Sequence, residues 1–258
     1  MIYINNISNL TCEDLESKVC SERIKYASKY KFEIDRRRSL AVEALLNDAL
    51  MMEGCICKCP VRVSHFDSQQ PYFVDEVTYA SGEKVYFSLS HSGDYVAVAI
   101  DSSPIGIDIE KVSERKSTES IARKFFSESE RKIMSEYIGD NTNNRCENTG
   151  KNTDGFAGIW TLKEAFIKSL GCGLSFGIDS FFVRRIDSYG DDFAIAKEKA
   201  ESLKLNIDET KDFLLHAGYA ISPYSKIDLV FEYYIRAGKY DVYEISFALE
   251  DLGIKGGL

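Results

Sequence analysis

The segment Pro104–Glu110, which reads PIGIDIE, is the part of the sequence from which the fold prediction starts. Alternate side chains of a β-strand share one face, so the three isoleucines of this segment point together into a core. Asp108 and Glu110 then lie side by side on the opposite face. Two neighbouring carboxylates suit a cation such as Mg²⁺, which takes one or two carboxylates together with water and substrate phosphates. The segment therefore predicts a strand whose polar face is either a metal site or a simple acidic surface.

A β-hairpin is predicted immediately before this strand. Val85–Ser90 and Tyr95–Ile100 are rich in β-forming residues and flank the turn sequence Ser92–Asp94. His91 lies where the first strand enters the turn, next to the Ser90 hydroxyl. This arrangement suits an anion such as a phosphate, although a histidine hydrogen-bonded within its own turn has the same pattern.

A helix is predicted downstream, from Phe156 to Leu170, and Gly171 ends it. Within it Glu164 and Lys168 are four residues apart and share one face of the helix. Taken alone, this pair is better explained as an ordinary surface ion pair.

The remaining pattern predicts an α+β chain in two loosely similar halves, residues 1–102 and 103–258, each with a small antiparallel-rich sheet packed on a long helix. The long helix of the first half is predicted from Asp35, as its N-cap, to about Met52. An Asn-rich surface loop is predicted over residues 139–155. The other predicted elements are the strands Ile2–Ile4, Phe213–Ile221, Ile227–Ile235 and Val242–Leu249 and the helices Ser117–Phe126 and Glu128–Tyr137.

Composition narrows the class of protein. The 258 residues are 44% apolar and 28% charged, with a net charge of −9, which is typical of a globular protein and argues against a general nucleic-acid binder. The sequence shows neither an export signal nor a membrane helix of about 18 apolar residues, so we expect a cytoplasmic location without membrane contact. The seven cysteines are expected to be free thiols. Cys55, Cys57 and Cys59, with His65 nearby, lack the usual spacing of a zinc site.

Three motifs in order carry a family resemblance: Ser-His-Ser at 90–92, Gly-Ile-Asp-Ile-Glu at 106–110 and Trp-x-x-Lys-Glu-Ala-x-x-Lys at 160–168. Together they resemble the 4′-phosphopantetheinyl transferase superfamily, in its longer, two-repeat monomeric type. The resemblance spans about residues 23–182. It implies transfer of 4′-phosphopantetheine from coenzyme A to a serine of an acyl or peptidyl carrier protein, with Mg²⁺ and release of 3′,5′-ADP. It also implies an active site in the cleft between two pseudo-symmetric halves.

The resemblance also implies roles for individual residues. Glu164 matches the base for the carrier serine, and Lys168 matches a lysine that contacts the transferred phosphate. The residues that match metal ligands are Asp108, Glu110 and Glu164. Those that match coenzyme contacts are Arg23, Lys25, Arg38, Ser39, Ser90, His91, Lys163 and Lys168.

Two positions are less straightforward. Glu130 resembles a functional glutamate of the family, but Ser127 and Glu130 also form a capping-box sequence, which we favour. The family often has Gly-Lys-Pro where this chain has Gln69-Gln70-Pro71, so one positive charge toward the coenzyme is missing.

Two other functions share these features. A Mg²⁺-dependent phosphodiesterase would use the same carboxylates without a carrier protein. A non-catalytic module that binds coenzyme A or a carrier is the other alternative, and the intact set of three carboxylates argues against it.

Overall fold

The computed structural model describes residues 1–64, 70–111, 118–136, 152–171, 177–185, 205–207, 215–221, 229–234 and 239–246. The chain is an α+β protein, as predicted. Its first elements are β1 (Ile2–Asn6), α1 (Cys12–Glu16), α2 (Ser21–Ala27), α3 (Glu33–Met52), β2 (Val63–Ser64), β3 (Tyr72–Phe73), β4 (Tyr86–Ser92) and β5 (Tyr95–Asp101). The elements that follow are β6 (Ile105–Lys111), α4 (Thr118–Phe125), α5 (Glu128–Glu136), α6 (Asn152–Leu170), β7 (Phe182–Arg185), β8 (Leu205–Ile207), β9 (Leu215–Ile221), β10 (Leu229–Tyr234) and β11 (Lys239–Ser246).

The first sheet has the strand order β4-β5-β1-β8. Strand β5 lies in its interior, where Tyr95–Ile100 is fully buried. The 20-residue helix α3 packs on this sheet and places Leu40, Leu46 and Leu50 in the core. Burial of such leucine side chains stabilises a core by about 1.5–3 kcal/mol each.

The second sheet has the order β6-β9-β10-β11-β7, and all its neighbouring strands are antiparallel. The 19-residue helix α6 packs across β6, β9, β10 and β7. Its apolar side also meets α4 and α5, where Phe126 and Phe156 stack with ring centroids 5.3 Å apart. Each sheet therefore carries one long helix.

Strand β8 joins the two parts of the chain. It follows β6 and β7 in sequence, yet it pairs in parallel with β1 in the first sheet, with Ile2 opposite Leu205. A division at residues 102 and 103 therefore separates the two sheets except for this strand.

The edge strands β4 and β6 meet through side chains. Every second residue of β4 from Ser88 is a serine whose hydroxyl accepts a hydrogen bond from a backbone N–H of β6. The pairs are Ser88 with Ile107 at 3.0 Å, Ser90 with Ile109 at 3.2 Å and Ser92 with Lys111 at 3.0 Å. Since buried N–H groups need partners, these serines satisfy an edge that would otherwise lack acceptors on this side.

The structure confirms the predicted hairpin and the predicted helices α4 and α5, and it moves two helix starts. Helix α3 begins at Glu33 after Phe32, so Asp35 is not its N-cap and instead pairs with Arg38. Helix α6 begins at Asn152, inside the predicted Asn-rich loop.

Several expectations lie outside the described ranges. They concern residues 139–151 of the predicted loop, together with His65 and Gln69. Among the described helices, none combines the length and apolar character that a membrane-spanning helix requires.

Candidate active site

Gly106 allows α6 to lie directly on β6. A Cβ atom at this position would be 1.8 Å from the carbonyl oxygen of Ala165 and 2.6 Å from the nitrogen of Ser169. No side chain fits at such distances, so the helix backbone occupies the space that a side chain would need. This contact holds the turn of α6 from Glu164 to Lys168 against the strand.

Lys168 is the point where α6 meets both sheets. Its ammonium donates to Oδ1 of Asp108 at 2.7 Å and to the carbonyl oxygen of Ile107 at 3.0 Å, both on β6. It also donates to the carbonyl oxygen of Leu89 on β4 at 3.3 Å. The lysine is half-buried, so one charged side chain bridges the two edge strands and retains contact with solvent.

Asp108 is a buried carboxylate with two defined partners. Besides Lys168, the Ser90 hydroxyl donates to the same Oδ1 atom at 2.7 Å. Hydrogen bonds to a charged acceptor contribute about 1.5–3 kcal/mol each. The position of this carboxylate is therefore set from both β4 and α6.

Glu164 lies within electrostatic reach of the same group. Burial raises the pKa of its carboxyl group, the negative charge of Asp108 raises it further, and Lys168 opposes both. Two carboxylates whose repulsion is only partly offset by one lysine are an arrangement that an additional cation would stabilise.

Arg38, His91 and Lys168 lie near the hairpin between β4 and β5 and are called the positive cluster. Arg38 on α3 donates to the carbonyl oxygen of Gly93 at 2.7 Å and pairs with Asp35 at 3.0 Å. The pKa of His91 is lowered by loss of solvent and then by the positive charges of Arg38 and Lys168, although the residue retains solvent contact. Three cationic or titratable groups from α3, β4 and α6 thus influence one another.

Gln70 occupies the position where the family often has lysine. Its side-chain amide donates to the carbonyl oxygen of Phe87 on β4 at 3.2 Å, and the carbonyl oxygen of Ile105 on β6 lies 3.5 Å away. Both bonds fall at the junction of the two sheets. A neutral amide satisfies these backbone oxygens without adding charge.

Arg23 and Ser39 contact each other between α2 and α3. The Arg23 guanidinium pairs with the fully buried Glu43 and donates to the Ser39 hydroxyl at 3.3 Å. Burial raises the pKa of Glu43, and Arg23 opposes that shift. Lys25 is exposed on α2. The coenzyme contacts expected of Arg23, Lys25 and Ser39 stay predictions.

Lys163 makes its hydrogen bonds in the core and not with the other candidate site residues. Its ammonium is fully buried and donates to Glu130 at 2.6 Å and to the carbonyl oxygen of Phe181 at 2.7 Å. Glu130 also accepts from the Val183 N–H at 2.9 Å. In this position Lys163 connects α5, α6 and β7 inside the core, which departs from the coenzyme contact expected from the resemblance.

The capping box predicted for α5 is present. The Ser127 N–H donates to Glu130 at 2.8 Å, and the Glu130 N–H donates to the Ser127 hydroxyl at 3.2 Å. Glu130 therefore has a structural role at the start of the helix, as favoured from the sequence.

The sequence predicted no role for three residues that contribute to the junction at the site. Ser88 and Ser92 belong to the row of serines between the sheets, and Gly106 permits the contact with α6. The alternation of serines along β4 was a visible signal, because residues at every second position share one face.

The donor set suits a hard divalent cation only in part. Asp108 and Glu164 supply carboxylate oxygens, and the half-buried Glu110 lies two residues beyond Asp108 on β6. Within the described ranges, no group of three or more candidate ligands is gathered closely enough to hold a metal ion. Mg²⁺ is usually bound by one or two carboxylates together with substrate phosphates, so Asp108 and Glu164 could supply the protein's share of its ligands.

Lys168 and Asp108 pair at the junction of two sheets, with Glu164 in electrostatic reach, and this combination suits the class of enzymes whose chemistry is on phosphate groups. The comparisons with known proteins define this class further. The family model of the 4′-phosphopantetheinyl transferase superfamily matches residues 104–221, which include β6, α6 and β9.

Curated relatives extend the match. The 4′-phosphopantetheinyl transferase Sfp of Bacillus subtilis is 31% identical over 184 residues, which are 71% of this chain and 74% of that protein. The 4′-phosphopantetheinyl transferase psf-1 of Bacillus pumilus is 34% identical over 178 residues, or 67% of this chain and 66% of the relative. A further Bacillus subtilis 4′-phosphopantetheinyl transferase is 41% identical over 103 residues, and this match spans only 41% of its length. The chain belongs to the 4′-phosphopantetheinyl transferase superfamily.

Proposed function

We propose that this protein transfers the 4′-phosphopantetheine group of coenzyme A to a serine hydroxyl of an acyl or peptidyl carrier protein, with Mg²⁺, and releases 3′,5′-ADP. The observation that carries the proposal is the meeting of Lys168, Asp108 and Ser90 at the junction of β4, β6 and α6. Family membership supplies the class of reaction, and this junction supplies residues suited to it.

Anion binding is assigned to the positive cluster. The coenzyme carries a pyrophosphate and a 3′-phosphate, and Lys168, His91 and Arg38 offer them charge from three different elements. We assign the coenzyme site to a cleft between two pseudo-symmetric halves, as the family resemblance implies. Lys168 is already beside Asp108, so charge that develops on phosphate oxygens is met by a group that needs little reorganisation.

Activation of the carrier serine is assigned to Glu164. The carboxylate takes the proton of the serine hydroxyl as its oxygen attacks the phosphorus nearer pantetheine. One phosphorus–oxygen bond forms to the serine, the bond to the bridging pyrophosphate oxygen breaks, and 3′,5′-ADP leaves with the electron pair.

Asp108, Glu110 and Glu164 are the residues that would hold Mg²⁺. When bound, the ion would neutralise charge on the pyrophosphate oxygens. Ser90 and Lys168 keep Asp108 in position for this role. Lys163 is left out of the coenzyme site because its ammonium is enclosed by Glu130 and the Phe181 carbonyl.

We further propose that the protein is a monomer, that it acts in the cytoplasm and that it binds neither nucleic acid nor a membrane. Its support is the family resemblance, together with the thiols of the five described cysteines, which suit a reducing compartment.

Mass spectrometry of a carrier protein tests the proposed reaction. The purified protein is incubated with coenzyme A, Mg²⁺ and a panel of apo-carriers. We expect one carrier to gain a single phosphopantetheine group, and its variant with alanine at the modified serine to gain none. Cleavage of coenzyme A with no gain by any carrier would instead indicate a phosphodiesterase. No gain and no cleavage across the panel would favour a binding module.

A further inference from the structure

A pair of cysteines lies outside the candidate active site, in the segment that follows α3. The sulfur atoms of Cys57 and Cys59 are 3.0 Å apart and make a thiol–thiol contact. Cys59 is exposed and Cys57 is half-buried. This contact plays no part in the proposed transfer reaction.

Backbone contacts hold this segment on both sides of the pair. Before it, Ile56 and Thr78 exchange backbone hydrogen bonds at 2.7 and 3.2 Å. After it, the Val61 N–H donates to the side chain of Asn47 on α3 at 2.8 Å. The fold therefore keeps the two thiols as neighbours. Once one of them carries a mixed disulfide, this proximity favours attack by the other over attack by a separate thiol molecule.

We propose that Cys57 and Cys59 form a reversible intramolecular disulfide when the protein meets a low-molecular-weight disulfide such as oxidised glutathione. The exposed Cys59 attacks one sulfur of that disulfide, forms a mixed disulfide and releases one glutathione. Cys57 then attacks the Cys59 sulfur and releases the second glutathione. Two protein thiols are oxidised, one small disulfide is reduced to two thiols, and both thiol protons go to the released glutathione molecules.

The protonation of the pair agrees with this order of attack. Burial and then the hydrogen bond with Cys59 raise the pKa of Cys57 to about 12. Cys57 therefore keeps its proton in the reduced pair, and the first attack, which needs a thiolate, falls to Cys59. Cys57 gives up its proton only in the second step, in which the departing glutathione thiolate takes it. The exposed member of the pair is the one that meets the oxidant first.

Lys58 makes the product easy to detect. Trypsin cuts after Lys58, so it separates the peptide Ser39–Lys58 from the peptide Cys59–Arg62 unless a disulfide joins them. The full chain is equilibrated over a range of oxidised to reduced glutathione ratios, its remaining thiols are alkylated, and it is digested without reduction. We expect the two peptides to be joined under oxidising conditions, with alkylated Cys55, and separated again after reduction.

Two variants complete the test. In Cys57→Ser, we expect Cys59 to retain glutathione and the joined peptides to be lost. Cys55→Ser is the matched control, and in it the joined peptides should persist. The proposal is overturned if wild type retains as much glutathione on Cys59 as Cys57→Ser does. It is also overturned if Cys55→Ser loses the joined peptides, or if non-reducing electrophoresis shows that the disulfide links two chains.

Discussion

The Ser90 hydroxyl donates a 2.7 Å hydrogen bond to Oδ1 of Asp108 and accepts the N–H of Ile109 at 3.2 Å. One hydroxyl therefore joins the first sheet to the second and also orients a carboxylate of the candidate site. The assembly of the two sheets and the geometry of the site are linked through this residue.

Ser90→Ala should raise the Mg²⁺ concentration at which transfer is half-maximal by about tenfold or more. The reason is the loss of one hydrogen bond to a charged group, which is about 1.5–3 kcal/mol. The measurement is the transfer rate as a function of Mg²⁺, at saturating coenzyme A. Ser88→Ala is the control, since Ser88 accepts the analogous N–H of Ile107 at 3.0 Å. Equal Mg²⁺ midpoints in Ser90→Ala and Ser88→Ala would show that Ser90 acts only in sheet assembly. If Ser90→Ala raised only the KM for coenzyme A, Ser90 would instead contact the coenzyme phosphates.

Asp108→Asn should lower the rate of transfer by about 10²–10³ without unfolding the protein. The amide keeps the size of the side chain but removes the charge that pairs with Lys168 and that would serve the metal ion. Single-turnover transfer rates and circular dichroism measure the two effects. Excess Mg²⁺ should not restore the rate, and a variant with near wild-type turnover would disprove the metal assignment.

Gly106→Ala should destabilise the protein by about 1–3 kcal/mol or more, because the new Cβ meets the backbone of α6. The free energy of unfolding is measured in urea. Gly54→Ala is a suitable comparison, because an added Cβ there meets no atom within 4 Å and the cost comes only from its positive φ of 65°, about 1–2 kcal/mol. Transfer should fall in Gly106→Ala because α6 carries Glu164 and Lys168. A loss of less than about 1 kcal/mol in Gly106→Ala would mean that the helix adjusts freely.

Lys163→Met should cost about 3–5 kcal/mol of stability, because it leaves the buried Glu130 carboxylate without its cation. The double variant Lys163→Met with Glu130→Gln should regain part of this loss, because glutamine is neutral and preserves the capping box of α5. The comparison uses urea unfolding of both proteins. Under conditions in which the double variant is folded, its KM for coenzyme A should equal that of wild type. A large increase in this KM would indicate that Lys163 contacts the coenzyme.

Coenzyme binding should take up a proton at His91. Partial loss of solvent and the charges of Arg38 and Lys168 lower the pKa of free His91 below its ordinary value, so its imidazole is neutral near pH 7. A bound phosphate favours the imidazolium and raises that pKa, so affinity for coenzyme A should increase as pH falls from about 8 toward about 6. Calorimetry in two buffers with different ionisation enthalpies measures the proton uptake. The phosphates of the coenzyme contribute equally to the proton uptake of wild type and His91→Gln. His91→Gln should therefore take up fewer protons than wild type. Identical uptake in the two proteins would show that His91 is not the group that takes up the proton.

The sequence was sufficient for features whose signals are local. Alternation of isoleucine with polar residues predicted β6, the turn residues around Gly93 predicted the hairpin, and helical spacing placed Glu164 and Lys168 on one face of α6. These patterns repeat every two or every 3.6 residues, so a short segment contains the whole signal. Helix ends were less predictable: Asp35 has the character of an N-cap, yet α3 begins two residues earlier.

Other features required the folded chain. Lys163 and Lys168 are both conspicuous in the motif, but five residues on an α-helix turn the side chain by about 140°. Which of the two directions leads to the core and which to the site depends on where α5, β7 and β6 lie. Likewise, β8 pairs with β1 across about two hundred residues of sequence, and Ser90 meets Asp108 across two sheets. Such contacts depend on complementary surfaces that form only when distant segments pack, and no short segment contains that information.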